Sequence, residues 1–224
     1  MPTPQLLIGL YTEGPTDIRF LESIVKRTFE KICFDECSKS VQVSDIFPIK
    51  ITKSSFIEDV INASRQGADN FGIIILCVHA DADDSSDKGV YQNKITPALS
   101  AIENAEDEGI CKIIVPVIPV RMTEAWMLAD KALLKKEIGT NKTDQELDIY
   151  RAPEQYADPK ATIEEAIRIA QQERTRRHRN KLMIADIYLS IGQSISIDKL
   201  KQIPSYIKFQ ENIRIAFRKL NYLH

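Results

Sequence analysis

The sequence predicts an α/β protein, with a mainly parallel four-stranded sheet flanked by helices and a C-terminal helical extension. Three observations point there. Apolar runs alternate with stretches of helical periodicity over residues 1–120. One run, Phe71 to Ala80, is apolar almost throughout, as a strand buried on both faces of a parallel sheet reads. Beyond residue 120 there is no comparable β-branched run. The expected division is an α/β domain over 1–120 and a helical extension over 121–224 packed on it.

The first strand is expected over Leu6 to Tyr11 and stops at Glu13-Gly14-Pro15-Thr16-Asp17, where the apolar spacing becomes helical through Phe20, Ile24 and Ile32. A weaker strand lies in Val41 to Ile51, followed by a helix from about Ser55 to Ala68. The run Phe71 to Ala80 ends in Asp81-Ala82-Asp83-Asp84, and a helix follows from about Val90 to Glu108. Lys112 to Val120 reads as a strand that Pro116 and Pro119 confine to a sheet edge. In the extension, Ile163, Ala166, Ile167 and Ala170 repeat at helical spacing, as do Tyr206, Phe209, Ile213, Phe217 and Leu220. Residues Gly139 to Pro159 are the most loop-like stretch.

Thirty basic and 32 acidic residues leave a net charge of -2, which excludes wholesale electrostatic attraction to nucleic acid. A basic surface must therefore be local. Arg174, Arg176, Arg177, Arg179 and Lys181 are its candidate, since guanidinium groups suit phosphate geometry, although such a run also suits a solvated helix end. Cysteines 33, 37, 77 and 111 include one close pair and no second to complete a zinc site, so all four read as free thiols in a reducing compartment. The longest unbroken apolar run, Ile73 to Val78, is far short of the roughly 20 residues a membrane helix needs. No basic segment precedes the first apolar stretch, so a cytoplasmic location and no membrane partner are expected.

The chemistry is expected at the carboxyl ends of the strands, where ligands of open α/β sheets collect. Both acidic clusters sit there, one after the first strand and one after the third. If those strands are parallel neighbours, in a sheet order of 2-1-3-4, Glu13 faces Asp81 and Asp83 across a crevice. Three converging carboxylates need a cation to offset their repulsion, and magnesium or manganese fits such hard oxygen ligands. Asp17 stands where a helix begins, so a capping and dipole role and a metal-facing one are both open. Glu124 and Asp130 could add ligands, while a structural hydrogen bond is the readier role for Asp130. His79 reads as a core histidine, on the same side of a regular strand as Cys77 and Asp81, and Trp126 reads as core. No glycine-rich nucleotide loop, calcium hand or serine nucleophile elbow is present.

The segments LLIGLYTEGPTD at Leu6 to Asp17 and IIILCVHADAD at Ile73 to Asp83 resemble the two signature segments of the TOPRIM domain. This is the Rossmann-like, metal-binding fold of topoisomerases, primases and related nucleases. The chain also resembles the TOPRIM-like family called domain of unknown function 4276. The shared features are the Glu-Gly-x-Thr-acid opening, Glu124 to Asp130, the Asp-Pro-Lys at Asp158 to Lys160, and Pro204 to Tyr206. The resemblance implies magnesium-dependent phosphodiester chemistry. Glu13 would be the general acid/base and metal-facing glutamate, Asp81 and Asp83 the metal ligands, and Lys160 a cation for the transition state. It implies a nuclease acting on DNA or RNA, with a co-encoded ATPase as a partner in bacterial defence against phage.

Two other functions compete. Asp81-Ala82-Asp83-Asp84-Ser85 fits the Asp-x-Asp-x-Ser/Thr opening of haloacid-dehalogenase-like phosphatases, in which the first aspartate is a covalent nucleophile. That opening follows the first strand of its fold, whereas here it follows the third, and Glu13 is left without a role. The other is a non-catalytic module that binds a partner ATPase.

Overall fold

The computed structural model describes residues 4–172 and 182–223. The first strand, β1 (Gln5–Tyr11), turns at Thr12 to Gly14 into α1 (Pro15–Glu36), whose opening proline supplies a helical φ where no N–H is needed. Strand β2 (Gln42–Pro48) leads to α2 (Phe56–Phe71), which starts with a reciprocal cap between Ser55 and Glu58 and ends at the left-handed Gly72 (φ 63°). After β3 (Ile75–His79) comes α3 (Lys88–Val90), a π-turn over Tyr91–Ile95 and α4 (Thr96–Glu103). Strand β4 (Ile114–Val117) is the last among the described residues. Among the described residues six α-helices follow, with a 3-10 turn at Pro153–Gln155 between the second and third: α5 (Thr123–Met127), α6 (Lys131–Ile138), α7 (Pro159–Gln172), α8 (Ile184–Ser194), α9 (Ile197–Leu200) and α10 (Pro204–Lys219).

The sheet is entirely parallel with order β2-β1-β3-β4, the expected arrangement. Strand β4 is an edge, as its proline requires: Pro116 lies opposite Val78, and Asn212 Nδ2 of α10 donates to the Pro116 carbonyl at 2.9 Å, while Pro119 lies beyond the strand. Pleating divides the core in two. Leu6, Ile8 and Leu10 of β1 join Ile75 and Cys77 of β3 on the face covered by α1, α8 and α10. Tyr11, Leu76, Val78 and Ala80 face the other side, with Val60 and Ala63 of α2 and Ala98 and Ile102 of α4.

The larger core is continuous from the sheet into the C-terminal helices. Trp126, fully buried, meets Tyr206 edge-on with centroids 5.2 Å apart and donates its indole N–H to Ser205 Oγ at 2.8 Å. Helices α1 and α8 touch at Gly192, where an added Cβ would lie 2.5 Å from the Phe20 carbonyl oxygen. Arg27 of α1 donates to the carbonyls of Gly192 and Ile195, each at 2.7 Å, and so closes the C-terminal end of α8.

Candidate functional site

The register of β1 and β3 ends with Tyr11 opposite Val78, so the two acidic segments leave neighbouring strands at the same edge of the sheet. The alternation that divides the core then divides the carboxylates. His79 and Asp81 continue the face of Ile75 and Cys77, toward α1, where Asp17 sits in the first helical turn. Glu13 continues the face of Tyr11, toward α2 and the π-turn. The structure thus brings Asp17, His79 and Asp81 together, one ligand atom from each lying within 4.8 Å of the others. Among the described residues it is the one group of three or more His, Cys, Asp or Glu side chains with that spacing, and Glu13 and Asp83 are outside it.

Each member is held by neighbours. Asp81 Oδ1 accepts the Thr123 backbone N–H at 2.8 Å, lies 3.3 Å from the Thr123 hydroxyl and 3.2 Å from His79 Nε2. The same hydroxyl is 3.0 Å from His79 Nε2. Thr123 opens α5, so a residue 42 positions beyond Asp81 fixes its carboxylate. Gly14 makes room for Asp17: a Cβ there would sit 2.6 Å from Asp17 Oδ2. His79 is fully buried, and its Nδ1 has no hydrogen-bond partner among the described residues.

The electrostatics record a crowd of negative charge. Burial raises the Asp17 pKa, the charge of Asp81 adds to this, and His79 and the Thr123 hydroxyl work against it. Burial disfavours the imidazolium of His79, yet the hydrogen bond and charge of Asp81 with the charges of Asp17 and Glu13 outweigh it, and the pKa rises. Two carboxylates and an imidazole suit a divalent cation. Donors about 2.1 Å from one ion stand about 3 Å apart when adjacent and about 4.2 Å when opposed, so the group need draw in only slightly to hold one.

Glu13 is in an ion pair with Lys94, Oε1 to Nζ 2.7 Å, and its backbone carbonyl accepts from Lys53 Nζ. Lys94 comes from the π-turn, the kind of helical irregularity that gathers at functional sites, and its ammonium lies 5.4 Å from the centre of the Phe56 ring. Asp83 lies between the two sets: its pKa is raised by burial, then by Asp81, with Lys94 opposing. Its backbone is left-handed (φ 54°), as is that of Arg121 (φ 68°), and the two loops are laced together by Asp83 N to Arg121 O at 2.8 Å and Arg121 N to Asp84 O at 3.1 Å. The buried Nε of Arg121 also has no partner among the described residues. Asp84 accepts from the Ser85 backbone at 2.6 Å, the role of an ordinary turn aspartate.

Glu124 is buried beside this group. Tyr188 of α8 donates its hydroxyl to Glu124 Oε1, while burial and the charges of Asp81 and Asp17 raise the glutamate's pKa. Asp130 accepts from Leu133 N at 3.1 Å and caps α6, the structural hydrogen bond expected of it. Lys160 is exposed at the start of α7, where it lines a separate groove with Ile167 and Met183. The candidate basic tract of Arg174, Arg176, Arg177, Arg179 and Lys181 lies outside the described residues.

Sequence reasoning did not find Lys94, Thr123 or Tyr188. Nothing local marks them, because each reaches the site from a helix joined by long-range packing. His79, expected as a core histidine, is indeed fully buried, and strand alternation puts it on the side of Asp81; its place in the group was not expected.

The chain belongs to the family described as Domain of unknown function (DUF4276), whose profile matches residues 12–212. That span includes every group described above. No curated protein and no solved structure matches the chain.

Proposed function

We propose that this member of the DUF4276 family is a divalent-metal-dependent nuclease related to the TOPRIM enzymes, cleaving phosphodiesters of DNA or RNA. One observation supports the reading: at the ends of the parallel neighbours β1 and β3, one ligand atom each of Asp17, His79 and Asp81 lies within 4.8 Å of the others. Asp17 and Asp81 are the anionic ligands, His79 Nε2 the neutral one, and the ion is magnesium or manganese, with the imidazole favouring manganese of the two. When bound, such an ion polarises a phosphoryl oxygen and lowers the pKa of water.

The chain's own residues do the rest. Thr123 fixes Asp81 through its backbone N–H at 2.8 Å, so that its carboxylate is oriented before any ligand arrives. Glu13, a third exposed, stands across the crevice with one oxygen on Lys94 and takes the proton of an attacking water. Lys94 then faces the charge that gathers on the phosphoryl group. A crevice of about 180 Å³, lined by Glu13, Lys50 and Lys53, offers cations for the neighbouring phosphate. A co-encoded ATPase as partner, a role in bacterial defence against phage and a cytoplasmic setting complete the proposal.

The test is cleavage of single- and double-stranded DNA and RNA with manganese. Glu13→Gln, Asp17→Asn and Asp81→Asn should each abolish cleavage with folding intact, and Lys94→Gln should slow it about a hundredfold. Small phosphomonoesters should be poor substrates. Efficient monoester hydrolysis, with fluoroberyllate trapped on Asp81 and tolerance of Glu13→Gln, would make the protein a phosphatase. An intact fold silent on every substrate, with its ATPase present, would make it a binding module.

A further inference from the structure

A cavity of about 490 Å³ opens among the helices that follow β4, apart from the acidic group. Its size is that of a small-ligand site. Its apolar side is formed by Leu128 and Ile203, both almost wholly buried. Around them four basic and two acidic side chains line the space, an excess of two positive charges in a chain whose net charge is -2.

The acidic charges are already engaged. Asp130 caps α6, and Asp144 Oδ1 pairs with Lys135 at 2.6 Å. That leaves Lys131, Arg151 and Lys199. Among the described residues no carboxylate forms an ion pair with any of them, although Asp148 acts on Arg151 through space. They come from three separate segments, the start of α6, the loop before α7, and α9. A solvated helix face has no reason to gather cations from three segments on one concavity.

An aromatic side chain completes the lining. Tyr150 is 49% exposed, and the Arg151 guanidinium lies 5.5 Å from the centre of its ring and 5.8 Å from that of Tyr156. The Tyr156 hydroxyl accepts the Arg151 backbone N–H at 2.7 Å, which fixes this corner of the wall.

We infer that the cavity binds a nucleotide, its base against Tyr150 and its phosphates against Lys131, Arg151 and Lys199. Base stacking on an exposed ring is tolerant of base identity, whereas the cations demand phosphate. The inference does not depend on the nuclease reading, because the acidic group takes no part.

Calorimetry of the full chain with ATP in EDTA tests it. One ATP per chain should bind, and adenosine and tripolyphosphate should each bind at least about tenfold more weakly. Lys131→Gln with Lys199→Gln should weaken ATP about tenfold, and so should Tyr150→Ala. Asp81→Asn should change nothing. Thermal melting of each variant checks that the fold is intact, and Lys199→Glu, at an exposed position on the cavity wall, serves if another variant fails that check. Absence of ATP binding at millimolar concentration overturns the inference. So does binding unmoved by these variants, tripolyphosphate binding as tightly as ATP, or a single-stranded oligonucleotide binding at this wall in place of ATP.

Discussion

Replacing Gly192 by alanine tests how the acidic group is supported. Alanine is the better helix former, by about 1 kcal/mol, so propensity alone predicts a more stable protein. The structure predicts the reverse. The new Cβ would lie 2.5 Å from the Phe20 oxygen, 2.8 Å from its Cα and 3.1 Å from its carbonyl carbon. These are main-chain atoms of α1 and cannot rotate aside. Reaching ordinary contact at 3.4 Å requires α1 and α8 to part by about 0.9 Å. Overpacking of this kind costs up to about 3 kcal/mol, which after the propensity gain leaves a net loss of about 2 kcal/mol. For a chain of this length that lowers the melting temperature by about 4–8 °C. Gly89 is the control: an added Cβ there meets nothing within 4 Å, so Gly89→Ala should raise the melting temperature by about 2–4 °C. Because α1 carries Asp17 and α8 carries Tyr188, Gly192→Ala should also weaken manganese binding. Thermal unfolding by circular dichroism decides the matter. A Gly192→Ala protein as stable as Gly89→Ala would refute the packing argument.

Two further outcomes are expected. Ser205→Ala leaves the Trp126 indole N–H without its acceptor in a buried site and should cost about 1–3 kcal/mol in urea unfolding, whereas Ser190→Ala, at a part-buried hydroxyl on α8, should cost less. Asp17 and Glu124 have pKa values raised above those of the unfolded chain. The sign follows: below the unfolded pKa their burial carries no electrostatic cost, and above the folded pKa the cost is fully present. A cation offsets that cost only where the carboxyls are ionised, so manganese should raise the melting temperature more at about pH 7 than at about pH 5. An equal rise at both would count against ligation by Asp17, the one of the two that belongs to the proposed ligand set.

Much of the fold was legible because its signals are local. The apolar run Phe71 to Ala80, the switch to helical spacing at Pro15 and the prolines at 116 and 119 each reflect one element's burial or backbone, and the strand order followed from the need for the two acidic ends to meet. The site was legible in part. Asp17 and Asp81 were candidates, yet they meet through His79 and apart from Glu13, because the pleat sends residues 11 and 13 to one face of the sheet and residues 77, 79 and 81 to the other. Lys94 and Thr123 were illegible: a π-turn has no sequence signature here, and the fixing of Asp81 by the start of α5 is a contact across 42 residues.

The central claim is that Asp17, His79 and Asp81 hold a divalent cation. Electron paramagnetic resonance of manganese titrated into the purified chain measures it without reference to any substrate. The account predicts saturable binding that is lost in Asp17→Asn and Asp81→Asn and unchanged in Lys160→Gln, whose lysine lines a separate groove. Saturable binding that persists in Asp81→Asn, or a wild-type protein that binds no manganese, would contradict it.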